Sequence, residues 1–263
     1  MNAPGNKTAL ITGASSGIGE EFARQLASAG YDLVLVARRE DVLRRLADEL
    51  ERQHSVHVDV LAADLAKDAD IQRVSKRISE ISSLDLLVYN AGFGFAGSFS
   101  KNDFDKHLEM IQVHVVASVH LTHAAIPVMI ARQQGGIINV SSVAAFIPWG
   151  GVTYCATKAY LVAFSEALNV ELRNKNIRVQ ALCPGFTVTE FHDTPELSPI
   201  RKFPLPKFLW LSSDFVVCES LKALKRNKVI CIPGIPYRLI ASMGRSGLIA
   251  PIMRSIAKRV RPG

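Results

Sequence analysis

The stretch Thr12-Gly13-Ala14-Ser15-Ser16-Gly17-Ile18-Gly19 follows a short apolar run and precedes an amphipathic segment of helical length. Glycines allow a tight turn and a close backbone approach to a pyrophosphate, and the N–H groups and dipole of a following helix favour its negative charge. A glycine cluster is often a plain turn, but this position after a first strand predicts a dinucleotide site. The predicted contacts are Gly13, Ser15, Ser16, Gly17, Ile18 and Gly19.

Outward from this turn, short β-branched apolar runs alternate with helical patterns along the chain. The predicted strands are 8–12, 32–36, 56–62, 84–89, 136–140, 178–182 and 229–232. The predicted helices include 17–29, 41–52, 71–81, 104–132 and 153–174. Such alternation is typical of right-handed βαβ units and of a parallel sheet covered on both faces. The sequence therefore predicts an α/β fold: one domain over 1–263 with a Rossmann-type doubly wound parallel sheet of about seven strands.

The composition indicates a globular protein, with 48% hydrophobic and 21% charged residues among 263. Of the 31 Lys and Arg residues, ten follow Glu219, which is the last acidic residue. The net charge of +7 therefore arises in the C-terminal segment and gives no evidence for nucleic-acid binding by the body of the protein.

The four cysteines form no CxxC pair and no metal-like spacing with histidine. We expect reduced thiols and no metal site. The N-terminal residues 1–7 contain no apolar signal core, so the expected location is cytoplasmic.

Two C-terminal segments differ from the alternating pattern. Residues 186–213 are rich in proline and aromatic residues without clear periodicity, which predicts a substrate lid. Residues 234–263 form a basic amphipathic extension with an apolar stripe at Ile249, Ile252, Met253, Ile256 and Val260. We expect this extension to dock on the lid or on a second subunit, in preference to peripheral contact with a membrane, and both alternatives remain open.

The stretch Tyr154-Cys155-Ala156-Thr157-Lys158 places a tyrosine and a lysine one helical turn apart. A phenol with a pKa of about 10 is a poor proton-transfer group at neutral pH. A nearby ammonium favours the phenolate and predicts a lowered pKa for Tyr154. By itself, such a pair also occurs on solvated helix faces.

The second predicted strand ends in Arg38-Arg39, with no acidic residue before Glu40. An acidic side chain at this place would bind the ribose 2′-hydroxyl of NAD, whereas arginine suits a 2′-phosphate. The pattern favours NADP over NAD. The alternative is that both arginines only begin a solvated helix.

In this order, the motifs resemble those of the short-chain dehydrogenase/reductase family over roughly residues 7–232. The matching motifs are TGASSGIG at 12–19, Asp64-Leu65, Asn90-Ala91-Gly92, Asn139-Val140-Ser141-Ser142, YCATK at 154–158 and Pro184-Gly185-Phe186-Thr187-Val188-Thr189. The resemblance implies an oxidoreductase acting on a small-molecule carbonyl or alcohol, active as a homodimer or homotetramer.

The same resemblance implies a role for each matching residue. Ser142 binds the substrate oxygen, Tyr154 transfers the proton, and Lys158 lowers the pKa of Tyr154 and holds the nicotinamide ribose. The other implied cofactor contacts are Asp64, Leu65, Asn90, Ala91, Gly92, Pro184, Gly185, Thr187 and Thr189.

The chain departs from the family pattern at three places. Tyr89 replaces the first asparagine of an Asn-Asn-Ala-Gly motif, and a short loop before Tyr154 keeps Ser141 open as the alternative catalytic serine. His114 stands where the family carries an asparagine of the proton relay. His114 is either a substitute in that relay, or a packing residue in a slower enzyme, or the mark of a non-catalytic NADP-binding sensor or scaffold.

Eight of the twelve phenylalanines and both tryptophans lie in segments predicted to surround the carboxyl ends of the strands. Binding sites in open parallel sheets lie at those ends, so the pattern predicts an apolar pocket for a bulky steroid, retinoid or fatty-acyl substrate. The predicted lining residues are Phe93, Phe95, Phe146, Trp149, Phe186 and Phe191. The alternative is that some of these rings close the core under the loops.

Overall fold

The computed structural model describes four stretches of the chain: residues 7–95, 97–147, 151–192 and 206–245. Three predictions fall outside these described residues: Trp149 as a pocket residue, the middle of the lid at 193–205, and the extension beyond residue 245.

Seven parallel strands form one sheet in the order β3-β2-β1-β4-β5-β6-β7. The strands are β1 (Thr8–Thr12), β2 (Asp32–Ala37), β3 (Val58–Ala62), β4 (Leu84–Tyr89), β5 (Gly135–Val140), β6 (Ile177–Leu182) and β7 (Ile230–Cys231). The strand order reverses between β1 and β4, which pair with each other from Thr8 to Ile11 of β1. The prediction of a doubly wound parallel sheet is confirmed, and the crevice at this switch point is where such sheets bind ligands.

The main helices are α1 (Gly17–Ser28), α2 (Glu40–His54), α3 (Asp68–Glu80), α4 (Phe104–Ile111), α5 (Ala117–Arg132), α6 (Val152–Leu172), α7 (Ser213–Lys225) and α8 (Ile235–Arg245). All predicted helices of the sheet are present, with ends shifted by a few residues. The predictions did not include α7, which begins where the Ser212 side chain accepts a hydrogen bond from the Phe215 N–H.

The central strands β1 and β4 are buried on both faces, which explains their continuous apolar sequences. One apolar layer lies between the sheet and α1, α2 and α7, and includes Phe22 and Leu43. The other lies between the sheet and α3 and α5, and includes Ile71 and Leu121. Full burial of such a side chain stabilises the fold by about 1.5–3 kcal/mol.

A single long helical rod comprises α4, a π-helical turn at Gln112–Val116 and α5. Within the described residues, this rod is the one helix long and apolar enough to cross a membrane by length and composition. Its buried polar residues and its packing against α3 and α6 identify it as a core helix of this fold. Single π-helical turns occur frequently at functional sites.

Candidate active site

The glycine-rich turn between β1 and α1 has a backbone that requires glycine. Gly13 and Gly17 adopt φ values of +64° and +58°, which side chains with a Cβ rarely tolerate. A Cβ on Gly13 would lie 2.8 Å from Asn90 Nδ2, and one on Gly17 would lie 2.8 Å from Thr189 Cγ2. The turn is therefore fixed between β4 and the segment after β6.

Thr12 and Asn90 hold the turn against the end of β4. The Thr12 hydroxyl accepts hydrogen bonds from the N–H groups of Asn90 and Ala91, at 3.0 Å each. Asn90 Nδ2 donates to the carbonyls of Thr12 and Gly13 at 3.1 Å. Sequence reasoning missed the role of Thr12, although the residue belongs to the quoted motif.

The N-terminus of α1 fits an anionic cofactor. The Ser16 side chain makes no capping hydrogen bond, so the first N–H groups of the helix remain available for phosphate oxygens. Asp64 and Leu65 lie at the same edge of the sheet, beyond the end of β3. The Asp64 carboxylate accepts from the Ala66 N–H, and Leu65 is buried in the core. These residues fit the expected dinucleotide.

The two arginines after β2 differ in their contacts. Arg39 reaches across the turn and donates to the Ser15 hydroxyl and carbonyl and to the Glu190 carboxylate, the last at 3.0 Å. Arg38 is exposed and has no side-chain hydrogen bond or ion pair within the described stretches. Of the two guanidinium groups, Arg38 is the one available for a new anionic partner.

Ser142, rather than Ser141, is placed beside Tyr154. The Ser142 hydroxyl lies near enough to the Tyr154 phenol to oppose the rise in the pKa of Tyr154, and it accepts a hydrogen bond from the Ala144 N–H at 3.1 Å. The buried Ser141 hydroxyl instead donates to the Lys158 carbonyl at 2.6 Å. Of the two serines, Ser142 is therefore the one whose hydroxyl lies on the side of the Tyr154 phenol.

Lys158 is buried behind Tyr154. Its Nζ lies 5.6 Å from the centre of the Tyr154 ring and donates to the Val140 carbonyl at 2.9 Å. Burial lowers the pKa of Lys158 to about 8. An ammonium has three N–H groups, so two remain for a ligand such as ribose hydroxyls.

The pKa of Tyr154 differs from the sequence-based expectation. Burial of the phenol raises its pKa to about 12, and the nearby Ser142 hydroxyl opposes this rise only in part. Lys158 directs its hydrogen bond to the Val140 carbonyl and not to the Tyr154 phenol. Tyr154 is therefore a phenol that keeps its proton at neutral pH.

His114 lies in the π-helical turn and is completely buried. Its ring stands nearly perpendicular to the Tyr154 ring, with centroids 5.9 Å apart. Both ring nitrogens contact protein groups: Phe93 N at 3.1 Å and Thr157 Oγ1 at 2.8 Å. The structure thus places His114 in the Ser142/Tyr154/Lys158 group, and it adds Thr157, which sequence reasoning missed.

The predicted pocket phenylalanines fall into two sets. Phe191 lies 6.1 Å from Tyr154 between ring centroids, and Phe93 lies 5.8 Å from the His114 ring. Phe95, Phe146 and Phe186 lie farther out: Phe95 packs on His107, Phe146 on the apolar cluster at β6, and Phe186 on Trp210.

The segment after β6 closes against the glycine-rich turn and against α8. Thr187 donates to the Gly185 carbonyl, and the Val143 N–H donates to the Pro184 carbonyl. The two described ends of the predicted lid pair through a parallel bridge between Thr187 and Leu211.

Tyr237 of α8 holds together the two described ends of the predicted lid, which are called the lid base. Its hydroxyl donates to the Leu209 carbonyl at 2.6 Å and accepts from the Phe186 N–H at 3.0 Å, while its ring lies against Gly185. Sequence reasoning did not single out Tyr237.

A parallel sheet with a glycine-rich turn at its switch point and a Ser/Tyr/Lys group at the same edge is the arrangement of a dinucleotide-dependent oxidoreductase. The family model described as short chain dehydrogenase matches residues 7–196. The chain belongs to the short-chain dehydrogenase/reductase family, and the family expectation from the sequence is confirmed.

Three comparisons cover nearly the whole chain. An uncharacterized oxidoreductase of Myxococcus xanthus is 31% identical over 97% of this chain and 98% of its own length. A short-chain dehydrogenase from Sphingobium yanoikuyae, solved in complex with NADPH, is 34% identical with a TM-score of 0.83, covering 93% of this chain and 95% of that one. The bulky-bulky ketone specific alcohol dehydrogenase from Comamonas testosteroni is 32% identical with a TM-score of 0.79, covering 93% and 94%.

Proposed function

We propose that this protein is an NADP-dependent oxidoreductase that interconverts a bulky lipophilic ketone and its alcohol, with Tyr154 as the proton donor or acceptor. The observation that carries the proposal is the group formed by Ser142, Tyr154 and Lys158 beside the uncapped N-terminus of α1. The closeness of these side chains is what carbonyl reduction requires.

The proposed roles follow from the charge that develops on the substrate oxygen. NADPH, when bound, supplies the hydride to the carbonyl carbon. The Tyr154 phenol gives its proton to the oxygen, and the Ser142 hydroxyl donates a hydrogen bond to that oxygen. The Lys158 ammonium stabilises the resulting tyrosinate, because the two groups share a buried site.

Replacement of Tyr154 by phenylalanine tests the proposal. Tyr160 is the matched control, since it lies on the same helix but stacks on Phe164, with ring centroids 5.6 Å apart. We expect Tyr154→Phe to lower kcat by about 10²–10⁴-fold while NADPH binding, measured by fluorescence, stays within a few-fold. Tyr160→Phe should keep its activity.

The rival proposal is a non-catalytic NADP-binding sensor or scaffold. It would be supported if wild-type protein binds NADPH but turns over no carbonyl or alcohol in a broad panel. In that case Tyr154→Phe and wild type would behave alike.

We propose Arg38 as the main contact of the 2′-phosphate, because Arg39 is already bonded to Ser15 and Glu190. Arg38→Glu should weaken NADP binding about tenfold or more and leave NAD binding nearly unchanged. Arg45→Glu, an exposed change on α2 where Arg45 pairs with Asp41, is the control. Equal loss for both cofactors would contradict the assignment.

The proposed bulky substrate is supported by the aromatic side chains around Tyr154, above all Phe93 and Phe191. The alcohol dehydrogenase from Comamonas testosteroni is named for bulky-bulky ketones. A panel of steroid, retinoid, fatty-acyl and small polar carbonyls is the test. Higher kcat/KM for the small polar compounds would contradict the proposal.

We further propose a cytoplasmic homodimer or homotetramer that associates through the long helices on either side of β5. Their outer faces expose the apolar side chains Phe104, Leu108, Ile111, Val152 and Val170. Sedimentation of wild type and Leu108→Glu is the test, and an unchanged oligomer would contradict this interface.

For the C-terminal extension, docking on the protein remains the preferred proposal, since Tyr237 inserts beneath the lid base. Peripheral membrane contact is the alternative, and Ile235, Leu239 and Met243 form an exposed apolar row on α8 that supports it. Liposome binding of the full chain and of a variant ending at Gly234 decides between them. Equal binding of the two would contradict membrane contact through the C-terminal extension.

A further inference from the structure

His114 makes a closed set of hydrogen bonds between three segments. Its Nε2 lies 3.1 Å from the Phe93 backbone N, and its Nδ1 lies 2.8 Å from Thr157 Oγ1. Thr157 Oγ1 in turn donates to the Tyr154 carbonyl at 3.0 Å. His114 therefore connects the loop after β4 to the first turn of α6, which carries Tyr154.

These partners determine the tautomer of His114. A backbone N–H can only donate, so Nε2 must present its lone pair to Phe93. The single proton of the neutral ring then lies on Nδ1 and is donated to Thr157 Oγ1. Since the Thr157 proton goes to the Tyr154 carbonyl, each ring nitrogen of His114 has a protein partner and neither faces a relay water.

The surroundings of His114 also oppose a positive charge. Lys158 Nζ and His114 Nε2 both lie beside Gly92. A Cβ placed on Gly92 would be 2.9 Å from His114 Nε2 and 3.3 Å from Lys158 Nζ. The other groups facing the ring are the aromatic side chains of Phe93 and Tyr154. Burial and the Lys158 ammonium hold the pKa of His114 well below its ordinary range.

Tyr89 supports the π-helical turn through a hydrogen bond to its backbone. It is completely buried, and its hydroxyl donates to the Val113 carbonyl, directly beside His114. A π-helical turn leaves backbone groups without their usual helical partner. Tyr89 and His114 are two of the positions at which the chain departs from the family pattern. Both therefore act on the same π-helical turn.

We propose that His114 is a positioning residue, not a proton carrier: as the neutral Nδ1–H tautomer it fixes the Phe93 loop against the turn of α6 that bears Tyr154. The proposal rests on the oxidoreductase function proposed above. The proposal requires that the Nδ1–H bond of His114 stays intact during turnover.

Nitrogen NMR of histidine labelled with ¹⁵N tests the tautomer without any turnover. We expect the His114 signal, assigned by its loss in His114→Gln, to show a protonated Nδ1 and an unprotonated Nε2 from pH 5 to pH 8. The opposite tautomer, or titration near pH 6.5, would overturn the proposal even if the enzyme is active. Failure of the proposed function would instead appear as absent turnover with the NMR result unchanged.

The kinetics of two Thr157 variants of similar size test whether His114 positions the turn of α6 that carries Tyr154. Thr157→Val removes the acceptor of the His114 proton, and we expect kcat to fall about tenfold or more with KM within about twofold. Thr157→Ser keeps the hydroxyl and should recover kcat to within about threefold of wild type. A drop in melting temperature without a drop in kcat would show a merely structural contact and overturn the proposal.

His114→Gln separates positioning from proton transfer. In a glutamine amide the oxygen and nitrogen share one carbon, as the two ring nitrogens of imidazole do, so Gln can accept from Phe93 and donate to Thr157. We expect it to keep at least a tenth of wild-type kcat with the same kcat/KM pH profile. A loss as large as that of Tyr154→Phe would identify a proton carrier.

Discussion

Two histidine–threonine contacts join the helical rod of α4 and α5 to helix α6, and they differ in one hydrogen bond. The inner contact is His114 with Thr157, at 2.8 Å, and the outer contact is His107 with Thr153, at 2.7 Å. In both, Nδ1 faces the threonine hydroxyl, and both imidazoles are buried.

The third partner distinguishes the two. At the inner contact, Nε2 accepts from the Phe93 N–H. At the outer contact, His107 Nε2 is buried without a hydrogen-bond partner among the described residues, between the rings of Phe95 and Phe99. A buried polar atom without a partner costs about 1–3 kcal/mol. The inner histidine–threonine contact therefore stabilises the fold, whereas the outer contact contributes little to its stability.

The largest expected effect is the difference between His114→Leu and His107→Leu. The inner change leaves the Phe93 N–H and the Thr157 hydroxyl without their partner, and we expect it to lower the free energy of unfolding by about 3–5 kcal/mol. The outer change removes an atom that was already unsatisfied, and should cost about 1–2 kcal/mol. Denaturant unfolding measures both, and equal losses would break the comparison.

A smaller effect is expected when both polar partners are replaced by apolar groups. His107→Phe with Thr153→Val should lie within about 1 kcal/mol of wild type, because a buried polar pair can be exchanged for an apolar one at little cost. His114→Phe with Thr157→Val should still lose about 1–3 kcal/mol, since the Phe93 N–H remains unpaired. Thermal unfolding of the two double variants compares them directly.

The next effect is on the pH dependence of stability. The folded-state pKa of His114 lies below the unfolded value of about 6.5, so its contribution is fully present above pH 6.5 and is lost as the pH falls towards the folded pKa. The expected slope is at most about 1.4 kcal/mol per pH unit. His114→Gln should lack this part of the acid destabilisation, and parallel curves for both proteins would contradict the prediction.

The smallest effect is expected for Tyr89→Phe, which removes only the hydroxyl that donates to the Val113 carbonyl. We expect a loss of about 1 kcal/mol in unfolding free energy and a modest decrease in kcat, because the π-helical turn keeps its other contacts. Amide hydrogen exchange at His114 measures the loosening. Unchanged exchange there would show that Tyr89 does not support the inner contact.

Sequence patterns were sufficient for the fold because each strand and helix carries its own periodicity. The predicted sheet strands agree with the structure to within two residues at either end, and Phe104–Arg132 is helical throughout, although its π-helical turn left no sequence signal. The end of the chain was harder to predict: α7 has a mixed polar and apolar surface, and its start depends on the Ser212 cap.

The site residues were predictable to the extent that they belong to ordered motifs. The proposed roles of Ser142, Tyr154 and Lys158 come from the motifs, and the structure adds that the Ser141 hydroxyl is directed to the Lys158 carbonyl. The direction of the shift in the Tyr154 pKa also required the structure, since burial of the phenol outweighs the effect of the nearby Ser142 hydroxyl.

The sequence by itself determined the sheet and the glycine-rich turn, and it supplied the proposed Ser/Tyr/Lys group, because these depend on local periodicity and short motifs. The tertiary structure alone decided the environment of His114. Its partners Phe93 and Thr157 lie 21 and 43 residues away along the chain, and Tyr89 reaches Val113 across 24. A tautomer and a pKa depend on which donors and charges surround a buried ring, and only the packed fold brings those groups together.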